Sequence, residues 1–198
     1  MEAETDEHPI IDIRRPGRCG PRAAADARTA WHLVDFKRLP QPLPALDDAY
    51  IALGTTIKVA GSQAAFRAVD FDAVVDTARA ARAAGATRLA VVSALGADPH
   101  SSVFYNRVKG EMQAAIAQLG FASVVIAQPS LLIGDRAAIG QPTRRGEVWA
   151  ARLLAPVMAL VPRTVRPIAA AKVAASLLAA TIDAAPGVRL LSSAQMQG

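Results

Sequence analysis

Arg88-Leu89-Ala90-Val91-Val92-Ser93-Ala94-Leu95-Gly96, RLAVVSALG, is the stretch whose reading decides the fold. It is apolar without alternation, as a strand covered on both faces must be; a half-exposed antiparallel strand alternates apolar with polar. Working back, residues 62–84 read as one long helix. Ser62 suits its N-cap, Phe66, Val69, Ala73, Ala80 and Ala84 recur near helical spacing, and Gly85 is a stop signal. Working forward, a helix is expected over about 102–119, ended by Gly120, then a strand in ASVVIAQPS, residues 122–130. Three more strand-like runs come earlier: PIIDI (9–13), WHLVDF (31–36) and DAYIALG (48–54). Strands alternating with helices predict an α/β fold with a mostly parallel sheet, whose ligands bind beyond the carboxyl ends of the strands.

With 198 residues and 52% hydrophobic residues, the chain reads as a single domain, 1–198, able to bury a real core. Residues 9–136 form the expected core and 137–198 a substrate-side segment, with apolar helical stretches at 146–160 and 169–184 split by PRTVRP. The proline-rich LPQPLPAL, 39–46, reads as a loop, and there is no internal repeat. A net charge of +5 suits an anionic partner, but the arginines are scattered and aromatics are only 5%, so no nucleic-acid partner is expected. A single cysteine, Cys19, excludes an intrachain disulfide and a cysteine-based zinc site. His8, His32 and His100 have no ligand spacing, so no metal is expected. No apolar stretch is long enough for a membrane span, and the acidic opening MEAETDEH is no leader; a cytoplasmic location follows as the expectation.

Val103-Phe104-Tyr105-Asn106-Arg107-Val108-Lys109 sets one of two tyrosines four residues before a lysine, on one face of the expected helix. Side chains at that spacing have Cβ atoms roughly 5–6 Å apart. An ammonium there would favour tyrosinate and lower a phenol pKa from about 10 toward neutrality; the bland alternative is a surface pair. The sharper signal is Ser93 at the end of a strand, a short loop, then Tyr105 and Lys109 on a helix.

On these residues, with LGTTIKVAGSQAAFRAVDFDAVVDTARAARAAGATRLAVVSALGAD, SSVFYNRVKGEM and QPSLLIGDR, the chain resembles the short-chain dehydrogenase/reductase superfamily. Within it, the sequence is most similar to the atypical branch of Tat-interacting-protein-like oxidoreductases and sugar-epimerase-like relatives. The resemblance covers roughly 9–136 well and the tail weakly. It implies a Rossmann-like, doubly wound, mostly parallel sheet. It also implies hydride transfer to or from a small carbonyl or alcohol with NADP, or NAD, as cofactor. Tyr105 would be the general acid/base, Lys109 would lower its pKa and hold the nicotinamide ribose, and Ser93 would orient the carbonyl. Such a reaction needs a proton donor within about 2.6–3.2 Å of the developing alkoxide and a donor to stabilise its charge.

The resemblance further implies cofactor contacts from Gly54, Thr55 and Thr56 in LGTT, from Asp35, from Arg14 and Arg15 on a 2′-phosphate, and from Pro129. Each also has a plainer reading: Thr55 and Thr56 as helix caps, Asp35 as a turn residue, Arg14 and Arg15 as a solvated basic turn. Gln128-Pro129 stands where the family usually has Arg-Pro, which removes a charge beside the site.

The family's opening strand, glycine-rich turn and helix are not recognisable before IIDIRRP. Either residues 9–13 are the second strand and the first is missing, or PIIDI fills the first slot with GRCGPRA, 17–23, as its turn. The first reading is preferred; it expects an incomplete sheet, exposed strand edges and a homo-oligomer as a consequence. It also keeps two rivals open: a non-catalytic NADP-sensing or protein-interaction module, and a truncated inactive homologue.

Overall fold

A computed structural model describes residues 10–14, 29–36, 38–40, 42–133 and 162–198; for 10–14, 29–33 and residue 133 it describes the backbone alone. The expected helix at 146–160, Arg15 and the GRCGPRA turn lie outside the described residues.

The central layer is a four-stranded parallel sheet of order β3 (Asp48–Ile51), β4 (Arg88–Val92), β5 (Ser123–Gln128) and β8 (Gly187–Ser192). RLAVV is one of its two inner strands, as its unbroken apolar run requires: Leu89, Ala90 and Val91 are fully buried. β1 (Ile10–Arg14) and β2 (Thr29–Leu33) form a separate parallel pair. Among the described residues no strand joins that pair to β3, and β1 pairs with β2 alone. A third small sheet pairs β6 (Leu132–Ile133) with β7 (Ile168–Ala169).

The crossover from β3 to β4 is helical. It runs through α1 (Ile57–Ala60), α2 (Gln63–Arg67), a π-helical segment at Ala68–Ala73, and α3 (Val74–Ala83). Ser62 caps α2 as expected, its Oγ accepting the Ala65 N–H at 3.1 Å, and Gly85 takes a left-handed φ of 105° after α3. α4 (Phe104–Ala117) joins β4 to β5. α5 (Ala170–Ile182) precedes β8, and α6 (Ser193–Met196) follows it with a capping box built by Ser192 and Gln195.

The pleat divides the core in two. Leu89, Val91, Val124 and Ile126 point to one face and pack with Val74, Val75 and Ala78 of α3 and Met112 and Ile116 of α4. Ala90, Val125 and Ala127 point to the other and pack with Val173, Leu177 and Ala180 of α5. Helices therefore cover both faces, which makes the sheet doubly wound. β8 was not legible as a strand: at the sheet edge its Val188 and Leu190 stay 49% exposed, so burial leaves no pattern on the sequence.

Candidate active site

The carboxyl ends of β3, β4 and β5 meet one face of α4, and the resemblance-derived residues divide there into two groups. The loop from β4 to α4 is locked onto the helix at Gly110. A Cβ at that position would lie 2.2 Å from both the Asp98 carbonyl carbon and the Pro99 nitrogen, so only glycine lets the loop lie against the helix. Asp98 N–H donates to the Asn106 carbonyl at 3.1 Å, and the Arg107 guanidinium donates to the Ser101 carbonyl at 3.0 Å. Leu95 N–H donates to the carbonyl of buried Pro129 at 2.9 Å, which ties this loop to the end of β5. The Ser93-to-Tyr105 connection is thus a fixed one.

The first group is charged. Lys109 and Asp70 are only 4% and 1% exposed, and the Lys109 ammonium stands 2.7 Å from Asp70 Oδ1. Asp70 Oδ2 accepts the Thr55 N–H at 2.9 Å. Oδ1 has no aligned hydrogen bond among the described residues, so its contact with the ammonium is a charge contact. A Cβ on Gly54 would sit 3.3 Å from Asp70 Oδ1 and 3.8 Å from Lys109 Nζ; glycine leaves the pair room at the end of β3. The structure therefore brings Gly54, Thr55 and Lys109 together, with Asp70 as the link.

Sequence reasoning missed Asp70. The signal was an acid on an apolar helical stripe, four residues after Phe66 and four before Val74. The expected stripe used Val69 instead. The π-helical segment widens the turn there, and Asp70 rather than Val69 is buried. Such one-turn widenings recur at functional sites.

Tyr105, half-buried, rests its ring on fully buried Phe66 with centroids 5.5 Å apart, and Phe66 also meets Phe104 edge-on at 5.8 Å. Beside this contact Arg67 pairs with Glu111, closing α2 onto α4. The expectation that Lys109 lowers the Tyr105 pKa is corrected. Burial pushes the phenol above its ordinary range, and the Asp70 carboxylate raises it further. The ammonium that was to lower it is paired with that carboxylate.

The second group is neutral. Ser93, 5% exposed, accepts a hydrogen bond from Gln113 Nε2 at 2.6 Å, and Gln128 Nε2 donates to Gln113 Oε1 at 3.2 Å. The glutamine that replaces the family's arginine thus completes an uncharged chain. Gln113 was also missed, although it follows Lys109 by four residues on the face that carries Tyr105.

The remaining residues are placed more plainly. Thr56 is the N-cap of α1, its Oγ1 accepting the Val59 N–H at 3.2 Å. Asp35 is exposed in a turn where its carbonyl accepts the Arg38 N–H at 2.8 Å. Arg14 ends β1; its side chain lies outside the description. Among the described residues no group of three His, Cys, Asp or Glu side chains could hold a metal, and no helix is long and apolar enough to cross a membrane.

No family model matches the chain. Individual relatives do. It is 36% identical over 121 residues to Protein FMP52, mitochondrial, of Coccidioides immitis, covering 61% of this chain and 48% of that protein. It is 38% identical over 123 residues to Protein HTATIP2 of Rattus norvegicus, with the same two shares, 61% and 48%. These similarities support a Rossmann fold of the atypical short-chain dehydrogenase/reductase type. It spans about half the length of these curated relatives. Its fold is that of RMD from Pseudomonas aeruginosa, solved with NADPH, at a TM-score of 0.60 and 16% identity over 94% of this chain and 78% of that one. The expected cytoplasmic location is overturned: fungal relatives are named as mitochondrial proteins, which points away from the cytoplasm. One cysteine could not decide the matter, because a reducing interior is not unique to the cytosol.

Proposed function

We propose that the protein is an NAD(P)-dependent oxidoreductase that reduces or oxidises a small carbonyl or alcohol, with Tyr105, Lys109 and Ser93 as its catalytic residues. The observation that carries this reading is a buried ammonium, Lys109, beneath Gly54 at the carboxyl end of a parallel strand and one helical turn from a half-buried phenol. The donor set suits a nicotinamide dinucleotide: an ammonium for ribose hydroxyls, and a glycine at the strand end that admits close approach. When bound, that cofactor supplies or accepts hydride. NADP is favoured over NAD by Arg14 and Arg15, whose guanidinium forks suit a 2′-phosphate. A phenol held above its ordinary pKa is fully protonated at neutral pH. Tyr105 is then a proton donor to a developing alkoxide, the role that carbonyl reduction requires. Ser93, whose oxygen accepts from Gln113, keeps its O–H to donate to and orient the carbonyl. Residues 1–198 serve as one cofactor-binding domain in this reading, with 137–198 toward the substrate.

NADPH titration followed by nucleotide fluorescence tests the proposal. Binding in the micromolar range, with Tyr105→Phe abolishing turnover of a panel of small aldehydes and ketones but sparing affinity, is the expected result. Absence of binding at millimolar NADPH contradicts it. A second reading, a non-catalytic NADP-sensing or protein-interaction module, draws on one observation: the Lys109 ammonium is already paired with the Asp70 carboxylate. It expects NADPH binding with no turnover in the same panel.

A further inference from the structure

We propose that Asp70 is a positioning residue of this site, one that anchors the Lys109 ammonium to the end of β3 and sets the charge that the Tyr105 phenol experiences. The inference rests on the reading of Tyr105 and Lys109 as the proton-handling pair, and it assigns a residue and a direction that this reading lacks. Three observations carry it. Asp70 is buried to 1% exposure, in a π-helical segment that turns it rather than Val69 inward. One carboxylate oxygen is fixed by the Thr55 backbone and the other meets Lys109 at 2.7 Å. Gly54 supplies the space in which both heads fit.

The consequence is a site poised as an acid. An unpaired ammonium near Tyr105 would favour tyrosinate. Here its charge is met by a carboxylate, and the phenol keeps its proton. Other charges around α4 are committed elsewhere: Arg67 to Glu111, and Arg107 to the Ser101 carbonyl and the Phe104 ring. Asp72 is exposed on the same π-helical segment, and Asp98 and His100 are exposed in the loop, where Asp98 Oδ1 accepts the His100 N–H. Asp70 and Lys109 are the two buried charges beside the phenol among the described residues.

The chain has two tyrosines, so Tyr50→Phe leaves Tyr105 as the one phenol that titrates. Tyr50 is 48% exposed, and the circular dichroism of this background checks that it folds. In that background, tyrosinate absorbance is followed against pH in the full chain, with circular dichroism recorded in parallel. Asp70→Asn/Lys109→Met removes both charges together and leaves neither buried unpaired. If Asp70 governs the phenol, the midpoint falls; if Lys109 governs it, the midpoint rises. We expect a fall, of about one pH unit, the lower end of what a close charge exerts. Asp70→Asn alone, which keeps an acceptor for the Thr55 amide and frees Lys109, lowers the midpoint further. A rise or no change in the folded double variant, or no change in folded Asp70→Asn, overturns the proposal. The titration needs neither cofactor nor substrate. A failure to bind NADPH would therefore count against the oxidoreductase reading, while the sign of the Tyr105 shift still decides the role of Asp70.

Discussion

Two corners along the inner face of α4 differ in one respect that organises the site. At the Lys109 corner a buried cation meets a buried anion, and the anion is pinned to the end of β3. At the Gln113 corner, one turn further along, everything is neutral: Ser93, Gln113 and Gln128. The first arrangement stabilises the fold little, because desolvating two charges offsets most of their attraction. The second is an ordinary part-buried hydrogen-bond chain whose members satisfy one another. A costly charged pair at a strand end is better explained by chemistry than by packing; a neutral chain is explained by packing alone. The difference also separates the expected triad, since Lys109 belongs to one corner and the Ser93 hydroxyl is engaged in the other.

Substitutions can break this comparison. The largest effect is expected at the charged corner: Asp70→Ala leaves an ammonium buried without its counter-charge and should cost about 3–5 kcal/mol in urea unfolding. Asp70→Asn/Lys109→Met should recover most of that loss; if it does not, the pair is structural and the contrast fails. Next, Gly110→Ala drives a methyl group into the Asp98–Pro99 backbone, which holds the loop between the corners. A destabilisation of about 1–3 kcal/mol, read as a lowered Tm, is expected.

At the neutral corner, Gln113→Ala strands Ser93 and Gln128 and should cost about 1–2 kcal/mol in the same unfolding assay. It should leave the midpoint of Tyr105 titration in place, whereas the charged-corner variants move it. The pH dependence has a fixed sign. Tyr105 and Tyr50 are both raised by burial above an unfolded value of about 10. Their stabilising contribution is complete below pH of about 10 and is lost as pH climbs from there through their folded values. Urea midpoints should decline over that alkaline window, and Tyr105→Phe should flatten the decline. The smallest effect is remote from both corners: Ser62→Ala removes the cap of α2 and should cost about 1 kcal/mol.

What the sequence disclosed follows from burial. RLAVV and SVVIAQ lie on inner strands covered on both faces, so their apolar runs were readable, as were Ser62 and Gly85 at helix ends. The edge strand β8 was not, since exposure removes the constraint that writes a pattern. The structure places Gly54, Thr55 and Lys109, singled out through the resemblance, around Asp70, with Tyr105 one helical turn away. Their partner Asp70 was hidden because a π-helical turn breaks the spacing from which its inward direction would be inferred. Gln113 was hidden because a polar residue on a helix ordinarily faces water. Thr56 took its plainer alternative, the cap.

The most direct test of the account is NADPH affinity measured by fluorescence titration on three proteins: the natural chain, Lys109→Met and Gln113→Ala. If the charged corner holds the nicotinamide ribose, the natural chain binds, Lys109→Met weakens binding tenfold or more, and folded Gln113→Ala binds as the natural chain does. No binding by the natural chain, or equal losses in the two variants, would contradict the claim that the two corners have different work.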